Sequence, residues 1–297
     1  MEEAIRKAAV LIEAMPYIQR FAGKAVVIKF GGNAMENDRV LDDVVEDIVF
    51  LAAVGIRPVV VHGGGPQISE AMKAAGIEPN FVQGLRVTDE KTLKVAVRVL
   101  SQDINAALCR RVEKFGGRAH PTFAAGRTPL RARKKLMAVP GPGGKKQKLD
   151  LGFVGEVTSV DARAMMAVAA KGAVLVVPPI GQDRSGQLYN VNADTAAAAV
   201  AAGLKAEKIV FLSNVHGIMA DPADPASLLS TVAESAVEQM IADGVITGGM
   251  LPKVAACIRA LDGGVGKAHI VDGRLPHSLL LEIFTDKGIG TQIVKDV

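Results

Sequence analysis

Residues 57–66, RPVVVHGGGP, run from an apolar β-branched stretch through a histidine and three glycines to a proline. Val59, Val60 and Val61 suit a strand buried on both faces. Glycines after such a strand let backbone N–H groups approach an anion, and Pro66 is placed where a helix tolerates proline, in its first turn. The helix N-terminus adds the positive end of its dipole, so strand, glycine turn and helix together make a seat for phosphate or carboxylate. Outward from this stretch the same grammar repeats. Residues 24–30, KAVVIKF, run into Gly31, Gly32 and Asn33. Residues 173–180, AVLVVPPI, read as a buried strand ahead of 188–198, LYNVNADTAAA, where a polar loop passes into an alanine-rich helix that Asp194 is placed to cap. Residues 208–212 form a further strand, and 246–253, ITGGMLPK, a glycine turn followed by a helix. Alternation on this scale predicts an α/β fold with a mainly parallel sheet.

Between these stretches the 3.6 period predicts helices over 40–54, 89–113, 160–171 and 230–243, and a helix, glycine turn and strand over 277–293. Strands are expected at 151–157 and 269–272. Ile5, Ala8, Ala9, Ile12 and Met15 make the first fifteen residues an amphipathic helix, which Pro16 should kink or end. Its apolar stripe must be buried on its own subunit or on another, and the residues leave both open.

At 297 residues the chain can bury a substantial core. Its 35 Lys and Arg against 31 Asp and Glu give +4, too dispersed to imply nucleic-acid binding yet compatible with an anionic small substrate. The basic run from Arg131 to Lys148 carries no acid and no interleaved aromatic, so it reads as a solvated hairpin or loop. Charges near the N-terminus break any signal-peptide core, and no apolar run approaches membrane-spanning length, so a soluble protein is expected. Two cysteines, Cys109 and Cys257, provide neither a disulfide framework nor a CxxC site, which fits a reducing, cytoplasmic setting.

Lys29 ends one strand beside a glycine turn, and Lys253 follows another in the second half. With Asp194 between them to pair and aim both, two converging cations suit transfer of a phosphoryl group, whose charge spreads over its equatorial oxygens. Arg86, in QGLRVT, suits bidentate capture of a carboxylate. His62 has no sequence-near partner and reads as a packed strand-end residue. No GxGxxG or GxxxxGK[ST] is present, and no HExxH or His/Cys cluster would hold a metal.

The segments IKFGGNAM from Ile28, VVVHGGGPQI from Val59, GLRVT from Gly84, DLGFVGEV from Asp150, LYNVNAD from Leu188 and ITGGMLPKV from Ile246 closely resemble the acetylglutamate-kinase branch of the amino acid kinase family. The likeness runs over nearly the whole chain. It implies a three-layer α/β/α sandwich with an extra N-terminal helix, organised as an oligomerisation helix over 1–20, an acceptor-binding lobe over 21–187 and a nucleotide-binding lobe over 188–297. It implies ATP-dependent phosphorylation of the γ-carboxylate of N-acetyl-L-glutamate in arginine biosynthesis, with Mg²⁺ carried by the nucleotide. Lys29 and Lys253 then stabilise the transition state and Asp194 organises them. Gly64, Gly65, Arg86 and Asn190 hold the acceptor, and Gly31 and Gly32 cradle phosphate. Asn214, Val215, His216, Gly217, Ile218 and Met219, with Val245, Ile246 and Thr247, line the nucleotide site. The N-terminal helix and the segment 277–290 resemble those of arginine-inhibited members, which implies a homohexamer and an arginine site at Lys208, Glu282 and Gly288. The family also admits a PII-type signalling partner, which the residues themselves do not reveal. Two departures from the family pattern stand out: AAGRTPL at 124–130 where a GKDG-like segment is usual, and Phe30 in place of a tyrosine. Competing readings are another carboxylate or carbamate kinase of the same fold and a non-catalytic amino-acid sensor.

Overall fold

The continuous apolar runs become the central strands because a parallel sheet covered by helices on both faces leaves no side for polar residues. In the computed structural model, which describes residues 1–31, 37–140, 146–221, 223–285 and 288–296, helix α1 (Glu2–Phe21) precedes β1 (Ala25–Phe30), α2 (Asp38–Ala53), β2 (Arg57–His62) and α3 (Gly65–Ala74). A short hairpin, β3 (Phe81–Val82) and β4 (Leu85–Arg86), leads to α4 (Glu90–Arg98), a π-helical segment Val99–Ile104, α5 (Asn105–Lys114) and β5 (Arg118–Pro121). The long hairpin β6 (Leu130–Pro140) and β7 (Lys146–Val160) is followed by α6 (Ala162–Ala169), β8 (Ala173–Val177), β9 (Ile180–Gln182), β10 (Leu188–Val191) and α7 (Ala193–Leu204). The chain closes with β11 (Lys208–Ser213), β12 (Thr231–Ala233), α8 (Val237–Ala242), α9 (Met250–Asp262), β13 (Lys267–Asp272), α10 (Ser278–Ile283) and β14 (Thr291–Val294).

Eight strands form one sheet in the order β12-β14-β13-β11-β1-β2-β8-β5. All neighbours are parallel except β13 and β14, so β12 and β14 run against the other six. Alternate residues feed the two faces. Val27, Val59, Leu175 and Ile209 pack with α6, α7 and α9 on one side, while Val26, Ile28, Phe30 and Val60 pack with α2 and α5 on the other. Truncating Ile28, which is fully buried, to alanine would cost about 2–5 kcal/mol. Chain order reverses between β1 and β11, so their carboxyl ends open a crevice at a topological switch point.

Several sequence expectations change. Helix α1 does not stop at Pro16 but continues to Phe21. The run 173–180 is not one strand: it breaks at Pro178 and Pro179, where the missing N–H donors end β8, and Ile180 begins β9 in a second sheet. That sheet, β10-β7-β6-β9, closes on itself. The polar loop at 188–191 is therefore strand β10, paired parallel with β7 and antiparallel with β9. Residues 230–243 begin as β12 and a 3₁₀ turn and become helical only at Val237. The hairpin strand expected at 151–157 is longer, and the basic run contributes to both arms of that hairpin, residues 141–145 lying outside the described residues. The divergent segment 124–130 makes a tight turn closed by backbone bonds between Ala124 and Arg127. Gly152 fastens the hairpin to the main body. Its φ of +80° and its approach to the Thr88 carbonyl, which a Cβ would overlap, permit the backbone bonds that join Thr88 to Leu151 and Phe153. Among the described residues no helix is long and apolar enough to cross a membrane.

Candidate active site

Lys29 stands one residue before the end of β1, where the alternation of the strand turns it out of the core toward the crevice. Its Nζ lies 2.8 Å from Asp194 Oδ1, and both side chains are nearly buried. Asp194 is not the helix cap expected from its position. Asn192 takes that place, its Oδ1 accepting from the Thr195 N–H at 3.0 Å, which leaves the Asp194 carboxylate in the first turn of α7 free to face Lys29. Lys253, in the first turn of α9, is half-buried. Burial pushes its ammonium below the usual lysine value, Asp194 draws it back up, and Lys29 lowers it further. The two cations and one carboxylate thus share a single field, though only Lys29 is in ion-pair contact with Asp194.

Two cavities adjoin this group. One of about 290 Å³ is lined by Lys29, Gly64, Gly65, Arg86, Asn190 and Asp194. Arg86 is buried and pre-set: its guanidinium donates to Gly65 O and Ser69 Oγ, each at 2.8 Å, and lies 4.6 Å from the Phe81 ring centroid. Burial lowers its pKa. Asn190, on β10, donates to Thr88 Oγ1 at 3.3 Å, and Thr88 in turn donates to the Arg86 carbonyl at 2.9 Å. Ser69, Met72 and Phe81 thus frame Arg86, and Thr88 holds Asn190. They carried no signal of this role, because a serine one helical turn beyond a glycine is ordinary until the fold brings an arginine to it.

The second cavity, about 300 Å³, is lined by Asn214, Val215, Gly217, Ile218, Met219, Val245, Thr247 and Lys253. Two residues expected here sit differently. The His216 imidazole turns to Asp272, 3.1 Å away, and Ile246 is buried in the core at 1% exposure, so neither side chain lines the cavity. Gly31 packs against the β2 turn so tightly that a Cβ would come within 2.9 Å of Gly63 N and Cα. Gly32 lies outside the described residues. Among the described residues no group of three or more His, Cys, Asp or Glu could hold a metal ion.

Lys208, Glu282 and Gly288 are brought together in a third cavity of about 300 Å³, beside Arg20, Phe21 and His269. Burial works to raise the Glu282 carboxyl, but His269 Nδ1 at 2.6 Å and the N–H groups of Ile289 and Gly290 at 2.8 and 3.0 Å hold it below the usual value. Those three donors leave less free acceptor capacity than a lone carboxylate would offer a guanidinium. Burial pushes Lys208 down to about 8. A larger recess of about 770 Å³, between the 124–129 turn, α6 and the β9–β10 loop, contains neither lysine nor Asp194 and stands apart from this chemistry.

The profile of the amino acid kinase family matches residues 24–272. An acetylglutamate kinase of Heliobacterium modesticaldum is 47% identical over 295 residues, covering 99% of this chain and 100% of its own. The acetylglutamate kinase of Methanocaldococcus jannaschii is 45% identical over 296 residues, covering 100% and 99%. Among solved structures, N-acetylglutamate synthase from Neisseria gonorrhoeae, complexed with coenzyme A and N-acetyl-glutamate, superposes with a TM-score of 0.78 at 29% identity. It is matched over 98% of this chain, which spans 64% of the synthase. With a family match across seven of the eight strands of the main sheet and relatives matched end to end, the chain belongs to the amino acid kinase family, among its acetylglutamate kinases.

Proposed function

We propose that the protein phosphorylates the γ-carboxylate of N-acetyl-L-glutamate at the expense of ATP, the acetylglutamate kinase step of arginine biosynthesis. The observation that carries this reading is the placement of Lys29 and Lys253, from opposite halves of the chain, about the single carboxylate of Asp194, with one cavity on each side. The acceptor would occupy the cavity of Arg86 and Asn190, with Arg86 on its α-carboxylate and the N–H groups of Gly64 and Gly65 on the reacting end. The nucleotide would occupy the cavity of Asn214 to Met219 and Thr247, its phosphates toward the α9 N-terminus and Gly31. Residues 21–187 then act as the acceptor lobe and 188–297 as the nucleotide lobe, joined through the eight-stranded sheet, except that β10 and its Asn190 belong by their pairing to the acceptor side.

In the reaction a γ-carboxylate oxygen attacks the γ-phosphorus, the bond from that phosphorus to the β,γ-bridging oxygen breaks, and ADP leaves. The acceptor is already ionised, so no general base is needed. The lysines meet negative charge on the equatorial oxygens, and Asp194 keeps Lys29 aimed. Mg²⁺ carried on the nucleotide phosphates would supply further charge neutralisation.

Regulation by L-arginine and a ring-shaped homohexamer are part of the same reading. Support comes from the cavity of Lys208, Glu282 and Gly288 at the end of α1, and from the apolar face of α1, where Ile5, Leu11 and Ile12 are more than 60% exposed. The Neisseria gonorrhoeae synthase, also solved in complex with L-arginine, is a structural neighbour at a TM-score of 0.75. A cytoplasmic setting fits two free, buried cysteines. The deciding experiment is an ADP-release assay across N-acetylglutamate, glutamate, aspartate, carbamate and UMP. Release only with N-acetylglutamate is expected; turnover on carbamate or UMP in its place would refute the assignment, and none on any would favour a sensor.

A further inference from the structure

Behind the glycine turn after β2, four polar groups form a chain in which each proton has one place to go. The Cys109 thiol, which burial pushes up to about 11 and so keeps protonated, donates to Asn105 Oδ1 at 3.8 Å. Asn105, 1% exposed, holds its Nδ2 at 3.1 Å from the Val176 carbonyl and 3.1 Å from His62 Nε2. A carbonyl only accepts, so the amide nitrogen is fixed on that side and its second hydrogen is directed at His62 Nε2. His62 Nδ1 lies 2.9 Å from the Gly63 carbonyl, which must likewise receive a hydrogen. The ring therefore carries its proton on Nδ1 and a lone pair on Nε2. Burial pushes its pKa down to about 4, so this neutral form persists across the physiological range.

We propose that His62 is a positioning residue for phosphoryl transfer: its Nδ1–H, ordered by Asn105, holds the Gly63 carbonyl inward and thereby points the Gly64 N–H into the acceptor cavity. The coupling is covalent geometry, because in a planar trans peptide the carbonyl and the following N–H point in opposite directions. Gly63 and Gly64 flank that peptide, and glycines on both sides make a flip easy unless something anchors it. A flipped peptide would present a carbonyl oxygen where negative charge gathers on the transferred group. Gly63 also donates to the Phe30 carbonyl at 2.7 Å and packs on Gly31, so the anchor steadies both glycine turns. What the Gly64 N–H does in catalysis rests on the acetylglutamate kinase reading; the tautomer and the anchor do not.

The tautomer can be read on the wild-type chain by ¹⁵N-histidine labelling, with no assay involved. The expected signature for His62 is a protonated Nδ1 and a bare Nε2, unchanged from about pH 5.5 to 8. A ring protonated on Nε2, or one titrating near its ordinary value, would overturn the proposal. In kinetics, His62→Phe should lower kcat by about tenfold. The KM for N-acetylglutamate, set by Arg86 and Asn190, should move by less than about threefold. His62→Asn, whose amide nitrogen can donate where Nδ1 did, should recover most of the lost kcat. Equal kcat in the Phe and Asn variants would overturn the anchor. A wild-type chain that releases no ADP would count against the kinase reading alone, since the labelling result stands apart from activity.

Discussion

Lys29, Lys253 and Arg86 differ in what the structure asks of them. Lys29 is paired with Asp194 and Lys253 is only electrostatically coupled to it, yet both would meet charge that grows as the phosphoryl group transfers. Replacing either by alanine is expected to lower kcat about a hundredfold, or about 3 kcal/mol of transition-state stabilisation, while circular dichroism shows an intact fold. Near-wild-type turnover would remove that lysine from the mechanism. Arg86 is bound by Gly65 and Ser69, a fork held over the Phe81 ring. Arg86→Lys replaces the fork with a point charge and should mainly raise the KM for N-acetylglutamate, with kcat less affected. An unchanged KM would place the acceptor carboxylate elsewhere.

At the scale of elements, one contact ties the C-terminal region to the first half of the chain. His277, in left-handed conformation at φ 53° ahead of α10, places Nδ1 2.7 Å from Asp47 on α2. Asp47 is 1% exposed, and burial raises its carboxyl to about 6 despite the bond from His277. The hydrogen bond to Asp47 raises His277, with Asp43 and Glu46 adding to it. Both shifts have the same sign for stability. The folded state binds these protons more tightly than the unfolded chain; the Asp47 contribution is lost as pH rises from the ordinary carboxylate range through about 6, and what remains in mild acid is that of His277. It weakens as pH rises through the unfolded and then the folded value of His277. The Tm of the wild type should therefore fall from about pH 6 to 8.5 relative to an Asp47→Asn, His277→Gln double variant, in which neither group titrates. Parallel Tm profiles for the two proteins would show that the contact carries no such linkage.

For the whole molecule, the open question in the sequence was where the apolar stripe of α1 is buried. Within one chain, among the described side chains, its last turns are the covered ones: Phe21 is buried against the body, whereas Ile5, Leu11 and Ile12 face solvent. An uncovered apolar helix face of this kind is expected to pack on another copy. Deleting residues 1–20 should convert a full-length hexamer into active dimers that L-arginine no longer inhibits, because arginine can shift an assembly only through its differential affinity for two states of it. Light scattering on both proteins, with activity measured at rising arginine, checks this. A full-length dimer, or a truncated form inhibited as before, would refute the arrangement and leave the kinase assignment standing.

What the amino-acid sequence determined by itself was local and periodic. The β-branched runs that became β1, β2, β8 and β11, and the glycines and helices that follow the first two, were legible because each signal lies within a few residues. The pattern also singled out Lys29, Arg86, Asp194 and Lys253. Tertiary structure alone decided what depends on partners remote in the chain. It made Asn192 rather than Asp194 the cap of α7, since Asp194 found Lys29 across the sheet. It split the run at 173–180 between two sheets, and it drew Ser69 and Phe81 around Arg86. His62 and Asn105 show the same limit: a histidine after three valines reads as packed, and so it is, but the direction of its hydrogen bond depends on an asparagine brought to it by a π-helical segment and the helix beyond. Periodicity reports which face of an element is buried; it holds no information on which polar atom will meet which, because that is set by how the elements pack.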